Sequence, residues 1–588
     1  MINLKKKLVF LSIFSCVNFA ISLAQDSVFT RNITVEREYQ PILKNTGKLN
    51  VTPKLIEPEA KPLPAQYTDL FIPLSINNNI HPLSSTEFFF NNRVEQNNFL
   101  QLGLGNFYNS SANFLYSLLN RPNTKLDFYM NHIGTFGDKL HSTTKSGLVF
   151  DQQLKSLHLF AGVETQHERL KFYGFNFNDS ASVQLNELAK NHGSSTYIER
   201  QFTSITRAPH SFTLQELSET PGTETFWHLN AFGGLQSLPL TSDINYSAKL
   251  NYHFFQNKFG IKENRIHLTG NVIMPFHENN IGLDVQLHQI KYTANEAPLF
   301  NFWDYYSVIM LNPFYSIEQT NWKLRMGLKA AFSMKHGRSF SPAADIAAEW
   351  NVFPQWMTLY GGLSGDYEIN SMDRIFSENC FLFSDTRIKD TYTPFLSYGG
   401  VKIKPAKNLL VDFYADYRFT DQQYFYVNKE YITEELNAPD SVLFTNRFNV
   451  AYSDAYHFKI GGRAAYNDEK NRFNMEFRTT YNWWDTKDTA LPWLQPTWET
   501  DLRANLGITS NITTSLYFFY KTGRYAQLGN RSVKMDNIMD VNLGISYIVS
   551  KSLSVYLHLN NLLNNKYQYF YGYDVQGFNL MTGVAFSF

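Results

Sequence analysis

The chain has 588 residues, of which 43% are hydrophobic and 16% aromatic, with Phe 50 and Tyr 35, yet its mean hydropathy is only −0.31. Lys+Arg 52 balance Asp+Glu 52, which excludes the basic excess of a nucleic-acid binder. Beyond the first two dozen residues no apolar run reaches the ~18 residues that a spanning helix requires, so a helical membrane protein is excluded as well.

Residues 1–24 read as a secretory leader, with Lys5, Lys6 and Lys7 before the apolar stretch Leu8 to Ala20 and small residues at Ser22-Leu23-Ala24. Cys16 follows Ile13-Phe14-Ser15, a poor match to a lipoprotein signal. Removal of the leader leaves Cys380 as the single cysteine, so no internal disulfide is expected. Residues 25–96 have a different composition. Ile33, Thr34, Val35 and Glu36 open a short strand-like run. Pro41, Pro53, Pro58, Pro62, Pro64 and Pro73 follow it. Proline lacks the amide proton that a sheet ladder uses, so this segment reads as an extended tether in the periplasm or as partial filler of a barrel lumen. A run such as 33–36 can add a strand to the exposed sheet edge of a periplasmic partner through backbone hydrogen bonds. A lead-in without a partner is the other reading.

From residue 97 to 588, apolar and polar residues alternate in long runs. Ile244, Tyr246, Ala248, Leu250, Tyr252 and Phe254 oppose Asp243, Asn245, Ser247, Lys249, Asn251 and His253. Ile281, Leu283, Val285 and Leu287 repeat the pattern. So do Leu409, Val411, Phe413, Ala415, Tyr417 and Phe419 against Asp412, Tyr414, Asp416 and Arg418. Phe473, Met475, Phe477, Tyr481 and Trp483 oppose Glu476 and Arg478, and the last run ends on Val584, Phe586 and Phe588. Alternate residues of a strand face opposite sides, so one face meets lipid and the other a polar lumen. Short connections (121–123, 277–280, 404–408, 468–471, 550–551) alternate with longer ones near 170–222, 294–303, 370–392, 485–495, 523–535 and 563–574. The expected fold is all-β: a transmembrane antiparallel up-and-down β-barrel of about 22 strands, or 24 if residues 422–453 form an extra hairpin. An even number puts both termini in the periplasm of a Gram-negative cell. The sequence therefore predicts three parts: leader 1–24, tether 25–96 and barrel 97–588.

Asp540 to Tyr547, Leu553 to Leu557 and Asn561-Leu562-Leu563-Asn564-Asn565-Lys566-Tyr567 resemble the end of the barrel of TonB-dependent receptors. The last segment is similar to the Asn-Leu-Phe-Asp-x-x-Tyr stretch before that family's final strand. Val35 to Pro41 and Leu102 to Phe107 resemble a plug-poor barrel group common in Bacteroidetes. The resemblance implies solute uptake, a TonB-like periplasmic partner and, at Ile33 to Glu36, a TonB-box-like segment. The chain departs from the family in one respect: the globular plug is much longer than residues 25–96. The lumen must therefore be filled by the tether, by long loops (170–222 foremost) or by a partner, or else it conducts.

Candidate residues are few. Asp412, Asp416, Arg418, Glu476 and Arg478 put charge on the lumen face, either to select solutes or to solvate the wall. Trp483, Trp484 and the aromatic residues of 567–573, Phe570 among them, read as a membrane-interface girdle. No nucleophile elbow, zinc helix or P-loop occurs, and the 15 His, His253 and His558 included, show no ligand spacing. Neither enzyme activity nor a cofactor or metal is expected. The favoured function is passage or uptake of an unidentified solute across the outer membrane. The alternative is a non-transporting anchor or assembly protein that binds envelope partners through its tether and loops.

Overall fold

A computed structural model describes residues 98–174, 223–238, 244–258, 260–294, 305–353, 356–383, 386–433, 441–468, 472–528 and 531–588. The leader, residues 25–96 with Ile33 to Glu36, and most of 170–222 lie outside the described residues.

The first strands are β1 (Phe99–Gly105), β2 (Asn109–Arg121), β3 (Thr124–Thr135), β4 (His141–Gln153), β5 (Leu157–Lys171), β6 (Thr223–Ser237), β7 (Asn245–Asn257) and β8 (Ile261–Phe276). They continue through β9 (Asn279–Ala294), β10 (Tyr305–Glu318), β11 (Trp322–Met334), β12 (Phe340–Phe353), β13 (Met357–Glu368), β14 (Thr391–Ala406), β15 (Leu409–Thr433) and β16 (Ser441–Asn467). The last are β17 (Phe473–Thr486), β18 (Trp498–Gly507), β19 (Ile512–Thr522), β20 (Tyr525–Leu528), β21 (Arg531–Lys534), β22 (Ile538–Ile548), β23 (Leu553–Asn560) and β24 (Asn579–Ser587). β20 and β21 form a separate two-stranded sheet, and the others make one antiparallel 22-stranded sheet.

That sheet is a closed barrel, because β1 pairs with β24 from Phe99↔Ser587 to Gly105↔Met581. Asn98 and Phe588 complete the seam with reciprocal backbone bonds of 3.2 and 3.1 Å. The start of β1 and the end of β24 therefore lie at one end, together with the turns at 122–123, 277–278, 407–408 and 549–552. The longer connections gather at the other, the loop end.

The predicted faces hold. Leu250, Phe413, Phe477, Trp483, Val584 and Phe586 are all exposed on the outside. Exposed tryptophans ring both ends: Trp350 and Trp356 near the turns, and Trp227, Trp483 and Trp498 near the loops. An apolar band between two aromatic girdles is the surface of a barrel that spans a membrane. Among the described residues of 422–453 no additional hairpin forms. β15 and β16 run for 25 and 27 residues and stay paired to Thr433↔Ser441, so the surplus lengthens an existing hairpin beyond the wall and the count stays at 22.

The seam depends on glycine. Tyr556 on β23 reaches across Gly583 of β24 and Gly103 of β1 to within 3.3 Å of the Ser111 hydroxyl on β2. A Cβ at Gly583 would collide with both the Tyr556 hydroxyl and the Leu102 carbonyl. A Cβ at Gly233 would meet nothing nearer than 3.9 Å. Gly583→Ala should therefore cost about 1–3 kcal/mol through overpacking, and Gly233→Ala only a few tenths. Urea titration of barrels folded into lipid vesicles measures both, and equal losses would refute the seam assignment.

Candidate functional site

The loop end carries a hydrophobic core of its own. Its main piece is the β13–β14 connection, residues 369–390. Ser371 caps the helix α1 (Met372–Glu378) by accepting from the Arg374 amide at 3.2 Å. Met372, Ile375 and Phe376 share one face at helical spacing and are almost completely buried.

Polar residues of α1 tie it to two distant parts of the ring. Asp373 meets His228 Nδ1 of β6 at 2.7 Å, His253 Nε2 of β7 at 3.3 Å and Arg265 Nη2 of β8 at 3.7 Å. Arg265 also donates to the Ser371 hydroxyl at 3.1 Å. Glu378 accepts from the Tyr424 and Tyr426 hydroxyls of β15 at 2.6 and 2.9 Å. Arg374 pairs with Glu368 and, at 3.3 Å, with Glu378. β6 to β8 and β15 stand on well-separated arcs of the ring, so α1 bridges the mouth. Beyond it, Phe383 N donates to Phe448 O at 2.8 Å and Phe448 N to Phe381 O at 3.0 Å, which laces the loop to β16.

The other loops close on the same core. Phe381 stacks on Tyr573 with ring centroids 3.6 Å apart, and Phe172, Phe448 and Phe570 pack around them. Arg524, in the β19–β20 connection, donates to the carbonyls of Leu494 (3.2 Å), Gln568 (2.6 Å) and Tyr569. One guanidinium thereby pins three loops. Its burial lowers its pKa to about 10. Lys139 binds the carbonyls of Asp574 and Val575 at 2.8 and 2.7 Å.

Tyr567, Phe570 and Tyr573 are thus buried lid residues, not the girdle that their aromatic spacing near a strand end suggests. The hydroxyl of Tyr567 bonds Asp540 of β22. Trp484 likewise faces inward and stacks on His457 at 3.7 Å, whereas Trp483 is exposed. Of the 170–222 loop, Phe172 and Tyr173 join the core.

The five charges picked from the sequence lie on the wall face opposite Phe413, Tyr417 and Phe477. Asp416 pairs with Arg418 and with Lys459 of β16, each at 3.0 Å. Glu476 pairs with Arg463 at 2.5 Å and Arg478 at 3.4 Å. Asp412 accepts from Tyr360 at 2.9 Å. A second cluster, which the sequence reading missed, sets Arg325 at 2.9 Å from both Asp284 and Asp345, with Asn312 bonded to both carboxylates. These four residues come from four neighbouring strands, and only the register brings them together.

The sequence matches no protein-family model and no curated protein. Solved structures with the same fold exist. The siderophore receptor PirA from Acinetobacter baumannii is 9% identical with a TM-score of 0.61, over 84% of this chain and 80% of that one. The pyoverdine outer membrane receptor FpvA from Pseudomonas aeruginosa PAO1 is 11% identical with a TM-score of 0.55, over 84% and 78%. The copper transporter OprC is 13% identical with a TM-score of 0.55, over 84% and 80%. The fold is therefore that of the TonB-dependent receptor barrel, and at these identities the likeness is one of architecture.

Two lid carboxylates respond to pH with opposite sign. Burial raises Asp373, but the bond and charge of His228, followed by His253 and Arg265, hold it well below the usual carboxylate range. Its contribution is present above the ordinary value and lost as pH falls. Asp390 is raised to about 6 by burial, with bonds from Tyr367 (2.8 Å), the Asn370 amide (3.1 Å) and Tyr306 (3.3 Å) opposing the shift. Its contribution is full below the ordinary carboxylate value and lost as pH rises through 6. Hydrogen exchange at residues 370–383, corrected for intrinsic rates, should therefore show protection falling by about 1–3 kcal/mol between pH 4 and pH 7. Asp390→Asn should flatten that slope, and an unchanged slope would remove Asp390 from the account.

Proposed function

We propose that this chain is an outer-membrane uptake barrel whose loop end faces outward and is lidded by its own loops. The observation that carries this reading is the apolar loop core, with α1 tied to β6–β8 on one side and to β15 on the other. Beneath it lies a wall with paired charges, including Asp412, Asp416, Arg418, Glu476 and Arg478, along which a polar solute can pass. The structural neighbours are named for siderophores and copper, so metal chelates and metal ions are the first solutes to try.

In this reading the turn end faces the periplasm. Residues 1–24 direct export and are removed, residues 25–96 hang from β1 as a tether, and Ile33, Thr34, Val35 and Glu36 offer a strand to a TonB-like protein. The density of lid bonds also favours the second reading, an anchor whose loops and tether bind envelope partners while nothing passes.

Planar-bilayer recordings separate the two. The full chain should be silent, because the lid is closed. Asp373→Ala combined with Glu378→Ala removes the carboxylate ties of α1 to β6–β8 and to β15 and should give flickering nanosiemens-scale openings. Steady large steps from the unaltered chain would overturn the lid. Continued silence from the double variant, even with residues 25–96 deleted, would favour the anchor.

A further inference from the structure

Where Cys380 packs at the edge of the lid core, the lid also meets a polar pair on the wall. His141 begins β4 and Glu168 lies near the end of β5. Their register, His141↔Leu170 and Thr143↔Glu168, makes them diagonal neighbours on one face of the sheet. It is the inner face, since Leu170 on it is 1% exposed. His141 Nε2 lies 2.8 Å from Glu168 Oε1, and the two side chains are 10% and 14% exposed. Over this pair the lid loop lowers Cys380, just before Phe381 enters the aromatic core. One ligand atom each from His141, Glu168 and Cys380 falls within a 4.8 Å sphere of mutual distances.

We propose that His141, Glu168 and Cys380 form a binding site for a borderline-soft divalent metal ion of the zinc type, which staples the lid loop to the β4–β5 wall. An imidazole, a carboxylate and a thiolate are the donor set of a tetrahedral zinc ion with one position open. Metal–ligand lengths of ~2.0–2.3 Å put tetrahedral donors roughly 3.3–3.6 Å apart. The observed trio needs only a small opening of the His–Glu contact and a small approach of the sulfur. Harder ions such as magnesium and calcium have no use for the thiolate. Metal entry replaces the thiol proton, which leaves to solvent, and the two positive charges of the one ion then face two anionic donors, the carboxylate and the thiolate. The fourth position is open to water or to a donor atom of a passing solute. This inference concerns the lid–wall joint and stands whether or not a solute crosses the barrel.

The test uses the purified full chain in detergent, with Co(II) as an optical probe and Zn(II) as competitor. The unaltered protein should bind one Co(II) with a thiolate-to-metal charge-transfer band, and Zn(II) should abolish the band. Cys380→Ser should lose the band while keeping the heat-modifiable gel mobility of a folded barrel. His141→Gln and Glu168→Gln should each weaken binding by more than ~100-fold, since loss of a direct ligand exceeds the 10–100-fold typical of outer-shell partners. Zn(II) should also slow hydrogen exchange at 379–383 in the unaltered chain and leave Cys380→Ser unchanged. A missing charge-transfer band in the unaltered protein overturns the site, even if every variant misfolds, because no other donor type gives that band. Equal affinity in the His141→Gln and Glu168→Gln variants would overturn it as well.

Discussion

Every backbone amide and carbonyl inside a bilayer must find a partner within the protein, because hydrocarbon offers none. That requirement closes β1 onto β24 and carries the ladder to its last pair, Asn98 and Phe588. It also explains why Gly103 and Gly583 lie under Tyr556: two strands meet there with a side chain laid across them, and only a bare Cα leaves room. Once the ring is closed, the wall has no freedom to adapt. Whatever this barrel recognises or gates is left to the loop end, where water satisfies the backbone.

At the loop end the chain uses that freedom to build a second core. α1 has seven residues, too short to persist alone in water, so its helical form depends on the burial of Ile375 and Phe376. The apolar face supplies most of the driving force but little direction. Direction comes from Asp373 and Glu378, whose bonds fix which strands α1 meets, and from Arg524, whose bonds join the loops to one another. An element held by a few polar ties over a small core belongs to the low-stability part of a protein, where gating segments are found.

The wall was legible in the sequence and the lid was not, for a physical reason. A strand that separates lipid from a polar lumen must alternate with a period of two, so Leu250, Phe413 and Val584 declare their side locally. The lid core draws Phe172, Phe376 and Tyr573 from separate connections, each without periodicity of its own, and Phe448 from the projecting part of β16. Tyr567 to Tyr573 therefore looked like a girdle: aromatic residues next to a strand end have the same spacing whether they face lipid or fold inward. Likewise the long run 422–453 looked like an extra hairpin, because nothing in its pattern marks where the bilayer stops and the projecting tip of β15 and β16 begins. The charges on β15 and β17 could be assigned to a face, but their partners Lys459 and Arg463 are fixed by cross-strand register.

The two lid carboxylates set the conditions under which closure is firmest. Asp373 must be ionised to hold His228, His253 and Arg265, and its partners keep it so down to acid well below the ordinary carboxylate range. Asp390 is better accommodated neutral, because it lies among Tyr306, Tyr367 and the Asn370 amide with no cation bonded to it among the described contacts. The two demands are compatible from well below the ordinary carboxylate value up to about 6. Above that window a buried charge appears on Asp390 at the base of the loop, while the Asp373 ties remain in place. Loosening is therefore expected first at the β14 root of the lid, while the Asp373 ties to β6–β8 and the Glu378 ties to β15 remain.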